Sequence, residues 1–327
     1  MQGTSLMKKM LLAIAGLVVV AASAPSLAQS YPNKPVKIVV PFSPGTAADI
    51  VARVLGARLA EMWGQGVVIE NQAGAAGNIG AATVAKAAPD GYTLVMLGIN
   101  HVINPSLYKD TQYDIPRDFK PIIRVGIAPL AIVANPKFPP NSIPELIAMA
   151  KARPNSILYG SGGSGSVTHL SFELLKAQAG IEMTHVPYKS IAPMLNDILG
   201  NQIPLGSPAL ASVVGHAKAG TLKVLAVTSA KRSSIFPDVP TVAEAGLPGY
   251  DVAAWNGLLA PARTPDAVIE KIHADVVKVA QSKEFVDQLR QQAMEVDLLG
   301  PEAYRTFLLA ELDKWSKLVK SSGAKVD

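Results

Sequence analysis

"LYGSGGSGSVTHLSFELL", Leu158 to Leu175, runs from a short apolar stretch through a glycine-serine turn into a helical pattern. A strand that empties into such a turn and feeds a helix is the repeating unit of an α/β sheet protein. Gly160, Gly162 and Gly165 stand in the order G-x-G-x-x-G, the spelling of a dinucleotide-binding loop. Ser161, Ser164, Ser166 and Thr168 add hydroxyls, and the glycines let the backbone approach a ligand closely. The helix starting near Val167 contributes N–H groups without intrahelical partners, which suit an anion. A nucleotide site also needs a ribose-binding acid after the second strand, about 20 residues on. Glu182 has roughly that spacing but precedes or begins the strand "MTHVPY", so a smaller anion is the favoured occupant.

The same unit recurs on both sides. "KPVKIVVPF" is a strand and "SPGTAADIVARVLGARLAEMWG" a helix with Ile50, Val51, Val54, Leu55, Leu59 and Met62 at helical spacing. "GVVIENQAG" and "YTLVMLG" are further strands around the short helix "GNIGAATVAKAAPDG". After "PLAIVANP" the pattern restarts with "SIPELIAMAKARP", "SILYGS", "VTHLSFELLKAQAG", "EMTHVPY", "IAPMLNDILGNQ", "IPLGS" and "LKVLAVTS". "YDVAAWNGLLAP" then leads to two amphipathic helices, about Pro265 to Gln281 and Pro301 to Ser321. The expected architecture is a two-lobed α/β fold: two doubly wound parallel sheets, joined by two crossings, with a cleft between them. Residues 29–130 and 252–327 form lobe 1 and residues 131–251 form lobe 2, with the C-terminal helices returning to lobe 1.

The 327-residue chain carries 30 Lys and Arg, 25 Asp and Glu, and no cysteine. That excludes disulfides, thiolate metal sites and a lipid anchor on cysteine. Lys8 and Lys9, the apolar run "MLLAIAGLVVVAASA" and the small residues Ser26 and Ala28 read as a signal peptide, residues 1–28, cleaved after Ala28. The periplasm is the expected compartment, and a formal charge of +5 falls to +3 once the leader's two lysines are gone. The remaining basic residues are dispersed, which argues against nucleic acid.

Four loops fall at carboxyl ends of expected strands, the edge where open α/β sheets bind ligands. In "VPFSPGTAADIVAR", Gly45 permits unusual backbone angles and Asp49 lies in the first helical turn, either stabilising the loop or touching ligand. The second loop is the opening stretch. In the third, Tyr188, Lys189 and Ser190 follow a strand, with Asp197 inside the next helix. In the fourth, "GINHVINPSLY", Asn100 and His101 are within reach of a cleft, His101 also reading as a buried structural residue, while Asn104 and Pro105 suggest a turn. Catalytic signatures do not appear: Ser164 is not in G-x-S-x-G, there is no H-E-x-x-H or Walker A motif, and His101, His169, His185, His216 and His273 have no ligand spacing. No cofactor, no metal and no enzymatic activity are expected.

"YPNKPVKIVVPFSPGTAADIVAR", "VIENQAGAAGNIGAATVAKAAPDGYTL", "INPSLY", "HVPYKSIAPMLNDILGNQI" and "PDVPTVAEAGLPGYDV" resemble, in order, blocks of the receptors of tripartite tricarboxylate transporters, the Bug-type periplasmic solute-binding proteins. The resemblance covers essentially the whole chain after the leader. It implies a type II-like binding protein that closes over its ligand by hinge motion, works as a monomer, and delivers cargo to large and small integral membrane subunits. The implied ligands are small organic anions: di- and tricarboxylates, acidic amino acids or aromatic carboxylates. The implied contacts are Phe42, Ser43, Gly45, Thr46, Ala47 and Asp49, then Ser161, Ser164, Gly165 and Ser166, then Lys189 and Asp197. Thr46, Ser164, Ser190 and Asn201 depart from the usual family letters, so no relative's ligand carries over. Ile191 suggests an apolar wall and an aromatic or branched carboxylate. The alternatives are a ligand sensor feeding a signalling partner and a nucleotide-dependent enzyme.

Overall fold

The computed structural model describes residues 31–325, so the expected leader lies outside the described residues. The chain begins with β1 (Val36–Val40), α1 (Ala47–Trp63), β2 (Val67–Asn71), α2 (Asn78–Ala85), β3 (Thr93–Gly98), α3 (Asn100–Leu107), α4 (Ile115–Asp118) and β4 (Phe119–Pro129). A second run holds β5 (Ala131–Ala134), α5 (Ile143–Ala152), β6 (Leu158–Ser161), α6 (Val167–Ala179), β7 (Thr184–Pro187), α7 (Ile191–Leu199), β8 (Leu205–Gly206), α8 (Val214–Lys218) and β9 (Lys223–Val227). The chain then returns through β10 (Ala253–Pro261), α9 (Asp266–Ala280), α10 (Lys283–Gln291), β11 (Glu295–Leu299) and α11 (Pro301–Ser322).

Two sheets result. One has the order β11-β4-β10-β3-β1-β2 and the other β7-β6-β8-β5-β9. β1 pairs in parallel with β2 and β3, and β6 in parallel with β7 and β8. Neither sheet is purely parallel: β10 runs antiparallel between β3 and β4, and β5 antiparallel between β8 and β9. These are the two segments that cross between lobes, and a chain that crosses and returns must enter each sheet against its grain. Edge strand β11 adds a further antiparallel pair on β4.

Local chemistry explains the elements. Ser142 caps α5 by accepting from Glu145 N–H, and Ser166 caps α6 by accepting from His169 N–H. Gly64 and Gly180 end α1 and α6 with φ of 61° and 62°. "INPSLY" is the back of helix α3, not the expected turn, with Pro105 inside it. Proline has no N–H for the carbonyl four residues earlier. That carbonyl, of His101, accepts instead from the Tyr113 hydroxyl at 3.2 Å.

Apolar clusters lie on the outer faces of both sheets. A third runs continuously from one lobe into the other, joining Leu97 and Val102 to Tyr159, Leu170 and Phe172 through Tyr304 and Trp315 of α11. The last helix therefore packs on α3 and β4 and also on α6, spanning both lobes rather than returning to the first alone. Periodicity reveals an apolar face but not what it meets.

Candidate functional site

The carboxyl ends of β3, β6 and β7 open onto one cleft of about 540 Å³, within the range of small-molecule sites. The second lobe supplies Gly162 to Thr168, Lys189, Ser190 and Ile191; the first supplies Ala76, Asn100, Ile103, Asn104, Leu107 and Tyr108. Loops expected from sequence in both lobes thus meet across one space.

The glycine-serine loop is braced from within. Gly162 N–H donates to Thr168 Oγ1 at 2.9 Å, Gly163 N–H to Ser161 Oγ at 3.2 Å and Gly165 N–H to His169 Nδ1 at 3.1 Å. The Ser166 hydroxyl donates to Gly163 O at 2.6 Å while capping α6. Ser161 is fully enclosed and bonded to His185 Nε2 at 2.6 Å, so its hydroxyl faces the lobe interior. Among the described residues, no partner occupies the Ser164 hydroxyl or the N–H groups of Ser164, Val167 and Thr168. Gly163 and Gly165 take φ of 128° and 73°, and a methyl on Gly165 would come within 2.9 Å of Leu107 Cδ1 across the cleft. A side chain larger than hydrogen would obstruct the lobes there.

Lys189 is the only charged side chain lining the cleft, is exposed, and makes no ion pair among the described residues. Ser190 lies beside it as the N-cap residue of α7 without donating or accepting a cap bond, and Ile191 adds the apolar wall. Asp197 does not line the cleft; it accepts from the Tyr188 hydroxyl at 2.6 Å. Burial, then that bond, pushes the Tyr188 hydroxyl up to about 12.

The β1–α1 loop sits beside the cleft, and Phe42, Ser43, Gly45, Thr46 and Ala47 are not among its lining residues. Phe42 meets His101 edge to face at 5.4 Å between ring centres. The Thr46 hydroxyl donates to Ser43 O at 3.0 Å rather than capping α1, which leaves the first N–H groups of that helix uncapped by a side chain. Asp49 is 2 % exposed and wholly engaged inside the loop: Gly45 N–H donates to it at 2.9 Å, Arg53 Nε at 3.0 Å and Asn71 Nδ2 at 2.9 Å. Burial acts to raise its pKa, but these bonds outweigh burial and hold the carboxyl below the usual range. Its geometry is that of a loop brace. His101 is fully buried, with Nδ1 accepting from Gly98 N–H at 3.1 Å, and burial pushes its pKa down to about 4. It is a structural histidine and does not reach the cleft, whereas its neighbour Asn100 does.

Several lining residues escaped the sequence reading. Ile103 and Leu107 belong to helix α3 where a turn was expected, Tyr108 follows as its C-cap residue, and Asn104 is buried, donating to Asn78 Oδ1 at 2.7 Å and Ala76 O at 3.1 Å. Ala75 and Ala76 have φ of 46° and 53°, a left-handed backbone unusual for alanine, and Ala76 faces the cleft. "AGAAG" gives no local hint of this; Asn104 holding the Ala76 carbonyl does.

A second crevice, of about 290 Å³, lies where the lobes join, beside Arg124, Asp251, Trp255 and Glu295. Two of its charges are matched, Arg124 by Asp297 and Glu311 by Lys314. Lys231 also lines it, exposed and without an ion pair among the described residues, but no helix N-terminus or glycine-serine loop faces it there.

The sequence profile of the tripartite tricarboxylate transporter family receptor matches residues 51–324. The chain belongs to that family. Bordetella pertussis BugT is 35% identical over 320 residues, 97% of this chain and 98% of BugT. R. palustris Rpa4515, whose structure is described with adipate, is 36% identical with a TM-score of 0.73, covering 90% of this chain and 100% of that one. Periplasmic binding protein BugD matches at 36% identity and a TM-score of 0.69, over 90% of this chain and 100% of BugD. Rhodopseudomonas palustris MatC with bound malate is 30% identical with a TM-score of 0.69, over 88% and 100% of the two chains. The receptor is therefore a substrate-binding protein of the two-lobed periplasmic class and not an enzyme. Among the described residues no helix is long and apolar enough to cross a membrane, and no cluster of His, Cys, Asp or Glu is arranged to hold a metal.

Proposed function

We propose that the receptor captures a small organic carboxylate in the interlobe cleft and hands it to the integral subunits of a tripartite tricarboxylate-type secondary transporter. The observation that carries this reading is the pairing of unengaged donors with a single unpaired cation. Ser164, the first N–H groups of α6 and Lys189 face one cavity of about 540 Å³. A carboxylate accepts from hydroxyls and N–H groups, is favoured at a helix N-terminus, and gains from one ammonium group. Ile103, Leu107, Val167 and Ile191 offer apolar surface for the rest of the molecule.

The acid binds between Ser164, Ser166, Lys189 and Ser190 on one side and Asn100 on the other, and hinge closure brings the β1–α1 loop, including Ser43 and Thr46, onto it. Such closure replaces the ligand's hydration with preorganised donors. Adipate and malate in relatives make linear dicarboxylates the first candidates. Export with cleavage after Ala28 to the periplasm, and action as a monomer, complete the reading.

A thermal-shift screen with adipate, malate, citrate, glutamate and benzoate tests it. An acid present at ~100 times its dissociation constant stabilises the folded protein by roughly 2.7 kcal/mol. No shift with any of the five would contradict the reading.

A further inference from the structure

Beneath the glycine-serine loop lies a cluster that the binding reading does not use. His169 of α6 and His185 of β7 stack with ring centres 3.8 Å apart and planes within 12°. Tyr159 of β6, the register partner of His185, lies alongside the pair with its ring nearly parallel to both, 5.1 Å from His185 and 6.3 Å from His169. Phe172 closes the cluster against Tyr159 at 4.4 Å. His169 is 5 % exposed.

Each histidine holds a different point of the loop. His169 Nδ1 accepts from Gly165 N–H at 3.1 Å, and His185 Nε2 shares a 2.6 Å bond with the Ser161 hydroxyl, which in turn accepts from Gly163 N–H. The acceptor role fixes His169 as the neutral tautomer carrying its proton on Nε2, which lies 3.7 Å from Glu173 Oε1. Gly163 and Gly165 are the residues with left-handed backbone, so these two bonds pin the part of the turn with the most freedom. Ser164, the residue with the unengaged hydroxyl, sits between them.

We propose that His169 and His185 are positioning residues of the ligand cradle, and that adding a proton to His169 releases it. A proton on Nδ1 turns the acceptor of Gly165 N–H into a donor, and the bond is lost. Burial resists that proton, because the charged ring would lose its hydration. Burial lowers the pKa of both rings, and His169 lowers that of His185 further, to about 4. The charged groups facing the pair are Glu173 and Lys176 of α6, which act in opposite directions; Glu182 lies beyond Lys176, and Tyr159 donates to Glu173.

This proposal rests on the cleft being the ligand site, and the test separates the two. Amide hydrogen exchange at Gly165 reads the holding role without ligand. His169→Phe keeps a ring in the stack and removes the acceptor, so Gly165 exchanges about tenfold faster than in the wild type. His169→Asn, whose Oδ1 substitutes for Nδ1, restores most of the protection. In the wild type, protection corrected for intrinsic exchange falls as His169 titrates; in His169→Asn it does not. Whichever of adipate, malate, citrate, glutamate and benzoate binds the wild type then binds His169→Phe about tenfold more weakly and His169→Asn nearly normally. Unchanged Gly165 exchange in His169→Phe, or Asn failing to rescue Phe, overturns the proposal. If none of the five acids binds the wild type, the binding reading fails while the exchange arm still decides the positioning role.

Discussion

Asp49 is the sharpest place to separate bracing from binding. Asp49→Asn keeps the shape of the side chain and removes its charge. In the wild type, Gly45 N–H and Arg53 Nε both donate to Oδ2, and Asn71 Nδ2 donates to Oδ1. All three are donors, so an amide NH₂ in either orientation faces at least one of them. A charge-assisted bond from Gly45 is worth ~1.5–3 kcal/mol in a buried setting. The Arg53 pair is half exposed on the arginine side, screened by solvent, and adds little. The substitution is therefore expected to destabilise the protein by roughly 2–3 kcal/mol in urea unfolding at neutral pH. The sign with pH follows from the lowered carboxyl pKa. Stability from a depressed carboxyl is present above its unfolded pKa and lost as pH falls through the folded one. The gap between wild type and Asp49→Asn therefore closes in acid. Ligand affinity falls only as far as the loop loosens. Full stability with abolished binding would refute the bracing role and make Asp49 a ligand contact.

Three further outcomes follow from the same geometry. Ser166→Ala removes the α6 cap and should lower stability by ~1 kcal/mol as well as affinity, whereas Ser164→Ala lowers affinity alone; urea unfolding and calorimetry on both variants distinguish them. Lys189→Gln should weaken binding of an acid and flatten its salt dependence, measured by calorimetry at two ionic strengths. His101, buried with a pKa of about 4, binds its proton in the unfolded chain first, so stability is full above pH ~6.5 and falls between there and about 4 by roughly 3 kcal/mol; a variant lacking this histidine should show a shallower acid slope.

Strand-helix alternation and the glycine-serine turn were readable because each is a local signal. β4 was not, although it lies inside the first sheet. Its sequence, "FKPIIRVGIAP", breaks a strand pattern with Pro121, Arg124 and Gly126. Pro121 is tolerated at the register shift between Leu258 and Leu259 of β10, where the ladder is already interrupted. Helix α10 was readable and missed: Ser282 caps it, and Phe285, Val286 and Leu289 follow at helical spacing. The cleft's first-lobe wall was less accessible. Leu107 and Ala76 line it because two lobes distant in sequence face each other, and no local pattern encodes that meeting. His169 and His185 lack metal spacing in sequence, and only parallel pairing of β6 with β7 brings the second ring over the first.

The central claim is that a carboxylate sits between Ser164, the α6 N-terminus and Lys189. A crystal structure of the receptor with the tightest acid from the screen measures this directly. The account predicts carboxylate oxygens within hydrogen-bond distance of Ser164 and the first α6 N–H groups, with Lys189 turned towards them. Density for the acid in the crevice beside Arg124 and Asp251, with the glycine-serine cleft filled only by water, would contradict it.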